Sequence, residues 1–183
     1  MSEFEDKLKF GNDGELFFKE IFMRLGCSIV PTYDYTSSTN QSPRLYFMGG
    51  HVVIPDLDCG HPNGRFWAEC KRYNTSPWNR RIKCNTHGLK RRLYDNYLDV
   101  QRRTGTPVWL FILEHSITHE HGAVDTRDVA LMARLDELTI HNCQCRGCLG
   151  LERDCAAPIP QSVYFNRSEF NVLEIPQGIT LAA

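Results

Sequence analysis

Residues 107–115, PVWLFILEH, form an almost unbroken apolar run. It falls well short of the roughly 18 apolar residues that a membrane span needs. It also lacks the alternation of a strand with one wet face. The run therefore predicts a strand buried on both sides. Such a strand needs a layer above it and a layer below it, and the rest of the chain must supply them. With 183 residues the chain is long enough for one domain with a sizeable core.

The layers can be read from the periodicity. Residues 4–25 predict a helix, because Phe10, Phe17, Ile21 and Leu25 recur at helical spacing and Phe18 and Phe22 widen the stripe, with Gly26 at the stop. CSIVPTYDY predicts a short strand and TSSTNQSPR a polar loop. HVVIPDLDC reads as a strand ending in proline and acids, CGHPNG as turn chemistry, and RFWAECKRY as the returning strand of a hairpin. NTSPWNRRIKCNTHG is basic and irregular. A helix follows from about Leu89 to Arg103, with Leu89, Leu93, Tyr97 and Val100 on one face and Gly105 and Pro107 at its end. DTRDVALMARLDELT predicts another helix, capped by Asp125 or Thr126, and SVYFNRSEF a late strand. The order implies one α/β domain over residues 1–183, a mixed central sheet flanked by helices.

The formal net charge is −1, but it is unevenly spread. From Arg65 to Arg103 there are eleven Lys and Arg against three acids, Glu69, Asp95 and Asp99. A neutral total thus hides a basic middle suited to a polyanion. The N-terminus, MSEFEDKLKF, is charged and shows no signal-peptide pattern. With no membrane-spanning run, a cytoplasmic location is expected, and there the cysteines would stay reduced.

FWAECKRY, residues 66–73, carries the chemistry. Alternation puts Glu69 and Lys71 on one strand face with Trp67, and Phe66, Ala68 and Cys70 on the other. In a hairpin turning near Gly60–Gly64, Asp56 falls opposite Glu69. Two close carboxylates are costly without a cation between them, and oxygen ligands suit Mg2+ or Mn2+. A lysine beside them can orient a water or neutralise developing charge. The bland alternative is a surface hairpin with a cross-strand salt bridge of little consequence. Three further features weigh against it: Pro55-Asp56 lies upstream, Glu15 follows Gly14 in the first helix, and a basic segment follows Lys71 directly.

This ordered set, Glu15 in GNDGELFFKEIF, then Pro55-Asp56, then Glu69-Cys70-Lys71, resembles the PD-(D/E)XK nuclease superfamily, the restriction-endonuclease-like fold. The likeness spans residues 8–115 and is nearest to resolvase-like and phage-borne members. The resemblance implies a metal-dependent enzyme that hydrolyses DNA phosphodiester bonds, of endonuclease or junction-resolvase type. It implies that Asp56, Glu69 and the Cys70 backbone carbonyl bind Mg2+ or Mn2+, that Lys71 positions the attacking water, and that Glu15 completes the acidic cluster. Asp58 shares a strand face with Asp56 and rivals it, with Pro55 favouring Asp56. Gln101 is a further candidate to reach the site. DNA is the implied partner, contacted through Arg80, Arg81, Lys83, Lys90 and Arg91, with Trp78 available for stacking. A homodimer would suit a nuclease that cuts both strands.

HNCQCRGCLGLERDC places Cys143, Cys145, Cys148 and Cys155 within thirteen residues. In a reducing compartment this spacing points to a metal loop over residues 141–156, with a closed thiolate site for structural Zn2+ and His141 as a substitute ligand. An iron–sulfur cluster is the alternative. A zinc deaminase is excluded because no His-x-Glu precedes the Cys-x2-Cys, and HEH at 119–121 lacks the spacing of a zinc protease. Two other functional classes stay open: a non-catalytic nucleic-acid-binding module with a structural zinc loop, and a nuclease subunit active only in a larger assembly.

Overall fold

The computed structural model describes residues 3–32, 43–80, 82–141 and 162–179. The cysteine-rich segment falls outside them, so Cys143, Cys145, Cys148 and Cys155 have no described position, and neither does Arg81.

A long helix, α1 (Glu3–Arg24), precedes β1 (Ser28–Pro31), β2 (Arg44–Phe47), β3 (Gly50–Val53), β4 (Leu57–His61) and β5 (Gly64–Tyr73). Then come β6 (Trp78–Asn79), β7 (Cys84–Lys90), α2 (Arg91–Thr104), β8 (Val108–Thr118), β9 (Val124–Arg134), β10 (Ser162–Asn166) and β11 (Asn171–Val172). The main sheet has six strands in the order β1-β4-β5-β8-β9-β11. Only β5 and β8 run parallel, and the crossover that a parallel pair requires is made by β6, β7 and α2. Two smaller sheets, β2-β3 and β10-β7-β6, complete the fold. The expected mixed sheet between helices is therefore present. Among the described residues no helix is long and apolar enough to cross a membrane.

β8 is covered on both sides, as the run PVWLFILEH predicts. One face packs Phe111 and Leu113 with Leu57, Ala68 and Cys70 against Phe17, Phe18, Ile21 and Phe22 of α1. Phe22 and Phe111 meet edge to face at 4.7 Å. The other face packs Leu110 and Ile112 with Trp67 against Tyr94, Tyr97 and Val100 of α2, and against Val52, Val53, Val163 and Phe165.

The predicted helix over DTRDVALMARLDELT is instead β9, followed by one 3-10 turn at Leu135–Glu137. Its Ala, Leu, Met and Arg content favours helix locally, but pairing with β8 over both flanks of a bulge overrides that preference. Leu131, Ala133 and Leu135 enter one core and Ala130 the other, with Met132 packed beside it. From Val129 onwards both faces are covered, so that half of the strand shows no alternation to betray it. Asp125 and Thr126, expected as helix caps, lie in the exposed β8–β9 ribbon.

Three smaller differences have local causes. HVVIPDLDC is two strands, because Pro55 interrupts the ladder: β3 pairs with β2, whereas β4 pairs with β5. NTSPWNRRIKCNTHG holds β6 and β7. Leu89 belongs to β7, which runs to Lys90, and α2 begins at Arg91, yet Leu89 still joins the α2 core.

Candidate active site

The site arises because β5 outruns β4. Gly64–Ala68 pair with β4, while the strand from Glu69 onwards extends past Leu57, the first residue of β4. The flank left unpaired is taken by the segment entering β4. Thr32 fastens that segment: its hydroxyl donates to the carbonyls of Pro55 (2.8 Å) and Asp56 (2.9 Å), and its backbone N–H donates to Asp56 O at 3.0 Å. Asp56 Oδ2 then accepts the Cys70 N–H at 2.9 Å, where a neighbouring strand would have offered a carbonyl. In an extended strand a residue's N–H and C=O leave on the same side, so the Cys70 carbonyl faces the same open flank.

Glu69 and Lys71 project from the α2 face. Glu69 is 2% exposed and forms an ion pair through Oε1 with the Lys71 ammonium. Lys71 Nζ lies 4.0 Å from Asp56 Oδ2, and its side chain stays 31% exposed, which leaves an approach from solvent. The other oxygen of Glu69, Oε2, accepts the Tyr97 hydroxyl at 2.6 Å. Glu15 arrives from the opposite layer. Gly14 lets it do so, because a Cβ there would come within 2.9 Å of Arg72 Cβ on β5. Asp13 and Arg72 add a contact at 3.5 Å beside it. Glu15 is buried and close enough for its charge to act on Asp56 and Cys70.

The electrostatics follow from this crowding. Burial first, and then the Glu69 and Glu15 carboxylates, push the Asp56 carboxyl well above its ordinary range. Lys71 and the Cys70 N–H pull it down without cancelling the rise. Burial opposes the charge on Lys71, but Glu69 and Asp56 outweigh it and hold the ammonium above its usual range. Asp56 and Glu69 thus meet at the Lys71 ammonium while Glu15 adds its charge at Asp56, and a proton on Asp56 or an added cation would relieve the crowding.

Asp58 is placed elsewhere. It pairs with Arg65, whose Nε donates to Oδ1 at 2.7 Å. Gln101 also turns away: its amide nitrogen donates to Asp136 at 2.8 Å and its amide oxygen accepts the Val108 N–H at 3.0 Å. Among the described residues no three His, Cys, Asp or Glu side chains are grouped closely enough to hold a metal ion. The donors present near Asp56 and Glu69 are oxygens, and Mg2+ is commonly held by one or two carboxylates, with water and substrate phosphate filling the remaining positions.

The basic candidates fall in two places. Arg80 and Lys83 are exposed on the β6–β7 turn, with Lys83 in the left-handed region at φ 52°. Lys90 is exposed at the start of α2, and Arg91 pairs with Asp95 at 3.0 Å. The seven residues of β7 separate the groups by about 23 Å. The first turn of α2 has no acid, and its capping position, Lys90, makes no side-chain cap. Cations there oppose the helix dipole. Trp78 is half-buried in β6, and His141 Nε2 lies 3.1 Å from Glu169.

Tyr97 was legible only as a core position. The available signal was its hydroxyl, since a buried tyrosine needs a partner. A second buried cluster also escaped sequence reading. His87 Nε2 lies 3.0 Å from Glu114 Oε2, and Arg167 Nε donates to Glu114 Oε1 at 2.7 Å. Burial alone would raise the Glu114 carboxyl, but the bonds from His87 and Arg167 hold it below its ordinary value.

No protein-family profile matches this chain, and no curated protein matches it. Among solved structures, Hjc, a Holliday junction resolvase from the archaeal hyperthermophile Archaeoglobus fulgidus, aligns with a TM-score of 0.44 at 9% sequence identity, over 84% of this chain and 87% of that one.

Proposed function

We propose that the chain is a metal-dependent nuclease of the PD-(D/E)XK type that hydrolyses phosphodiester bonds in DNA. The observation that supports this reading is the meeting of Asp56 and Glu69 at the Lys71 ammonium, with the Glu15 charge acting on Asp56, at a gap in the sheet that solvent can reach. A buried excess of carboxylate is unfavourable for folding and calls for a cation.

Asp56, Glu69 and the Cys70 carbonyl are the proposed ligands for Mg2+ or Mn2+. When bound, the ion supplies Lewis-acid stabilisation of charge developing on the phosphoryl oxygens. Glu69 and Asp56 favour the charged form of Lys71 in the metal-free site, and its proposed role is to donate a hydrogen bond that orients the attacking water and to offset negative charge. Tyr97 holds Glu69 by one oxygen and so fixes the direction of the other. Glu15 sustains the negative potential from the far layer. Arg80, Arg81, Lys83, Lys90 and Arg91 are the proposed phosphate contacts. The uncapped, cation-flanked N-terminus of α2 supports this, because such a helix end suits a phosphate.

The test is a crystal soaked in Mn2+, read by anomalous scattering. The nuclease reading expects an anomalous peak at Asp56 and Glu69, the residues that would hold the ion, with Lys71 swung off Glu69 Oε1. Full Mn2+ exposure with the Lys71–Glu69 pair intact and no peak would favour a non-catalytic nucleic-acid-binding module.

A further inference from the structure

The β2–β3 hairpin stands apart from the six-stranded sheet, with a fixed base and a bare tip. Val52 and Val53 are buried in the cluster that holds Tyr94, Tyr97 and Val100. The Arg103 guanidinium lies 3.5 Å over the Phe47 ring. Beyond this anchor the apolar groups point into water. Met48 is fully exposed, Tyr46 is 73% exposed, and the Tyr46 ring stands 5.7 Å from that of His51. Gly49, at φ 103°, lets the chain reverse there. Single exposed apolar residues are ordinary, but a tip that exposes a methionine two positions from a tyrosine marks a contact surface.

The charge around the tip selects its partner. Residues 43–55, PRLYFMGGHVVIP, contain no Asp or Glu, in a chain that has 22. Arg44 lies in β2, and Arg103 of α2, paired with Asp99 at 2.8 Å, lies beneath Phe47. A finger that carries Arg44 and no acid, with stacking groups at its end, fits a polyanion whose flat faces can be exposed. The finger also leads straight to the candidate site. Met48 and Asp56 are eight positions apart, a span of at most about 29 Å, or about eight base steps along one strand.

We propose that the β2–β3 hairpin is a nucleic-acid wedge, with Tyr46 stacking on an unstacked base and Met48 entering the base step beside it. The proposal rests on the nuclease reading for where the substrate is cut, but the binding itself does not require cleavage. It favours DNA whose bases are already unpaired, because unstacking a continuous duplex carries an added cost.

The experiment uses the full chain in chelator, titrated by fluorescence anisotropy with a continuous duplex and with the same duplex carrying a short central bulge. The expected result is a preference for the bulged DNA. Tyr46→Ala combined with Met48→Ala should weaken that binding by about 5- to 150-fold. The same variant should keep its affinity for the continuous duplex and its salt dependence, since no phosphate contact is removed. Tyr46→Trp should retain the preference. 2-Aminopurine in the bulge should be quenched by the wild type and not by the double variant. An unchanged preference in the double variant, or no preference in the wild type, overturns the wedge. So does a dimer in sedimentation that the double variant loses, which would assign the tip to a second copy of the chain. A protein that prefers the bulge yet never cleaves with Mg2+ would keep the wedge and lose the nuclease reading.

Discussion

Tyr97→Phe isolates the contact that most tightly couples the helix layer to the site. The hydroxyl donates to Glu69 Oε2 at 2.6 Å, and Glu69 is 2% exposed. Water cannot readily replace the lost donor, and the acceptor is a carboxylate. Hydrogen bonds to charged groups contribute about 1.5–3 kcal/mol, which for a chain of this size lowers Tm by about 3–12 °C. In a Glu69→Gln background the acceptor is neutral and the bond is about half as strong. The same substitution should then cost about 1 kcal/mol. Urea denaturation of the wild type, both single variants and the double variant closes the cycle. Equal costs of Tyr97→Phe in the two backgrounds would refute the idea that Tyr97 acts through the charge on Glu69. A cost below about 0.5 kcal/mol in the wild-type background would place the effect among ordinary surface changes.

Other consequences follow from the same geometry. Gly14→Ala should destabilise the fold by about 1–3 kcal/mol, because its Cβ would meet Arg72 Cβ at 2.9 Å and α1 must back away; a neutral thermal shift would contradict the close approach. Glu114 titrates below its ordinary value in the folded protein, so the unfolded chain binds more protons in that window. Its stabilisation should be complete above the ordinary carboxylate pKa of about 4.3 and be lost as pH falls through the lower folded value. Denaturation from pH 6 down to pH 3 should therefore show a steeper acid loss in the wild type than in Glu114→Gln, and parallel curves would refute this. From the cysteine spacing alone, and not from the geometry, we propose that elemental analysis will find about one zinc per chain in colourless protein; iron with a brown colour would assign an iron–sulfur cluster to Cys143, Cys145, Cys148 and Cys155.

The chain announced its two-sided central strand, its first helix and the hairpin bearing Glu69 and Lys71, because each has a strong period or strong turn residues. β9 was hidden for a physical reason. Its second half, from Val129, is covered on both faces and shows no alternation, and the Ala, Leu and Met residues there favour helix until β8 supplies a pairing partner. Asp56 was legible through the proline that precedes it and the expected hairpin pairing. The structure adds a reason of its own, for Asp56 occupies the flank of β5 that β4 leaves open. Gly14 and Glu15 were legible as neighbours, but the 2.9 Å clearance that gives the glycine its purpose depends on how α1 lies against β5. Tyr97 and the His87–Glu114–Arg167 cluster join residues 28, 27 and 53 positions apart in sequence. No local pattern encodes such pairings.

The most direct measurement is cleavage of end-labelled DNA by the purified full chain, with Mg2+ and with chelator, run beside Glu69→Ala and Lys71→Ala. The wild type should cleave with Mg2+ and not with chelator. Each variant should lose about 100-fold or more of the rate, the scale expected when a group that stabilises the transition state is removed, while DNA binding in chelator is retained. Undiminished cleavage by Glu69→Ala, or cleavage by the wild type that persists in chelator, would contradict it.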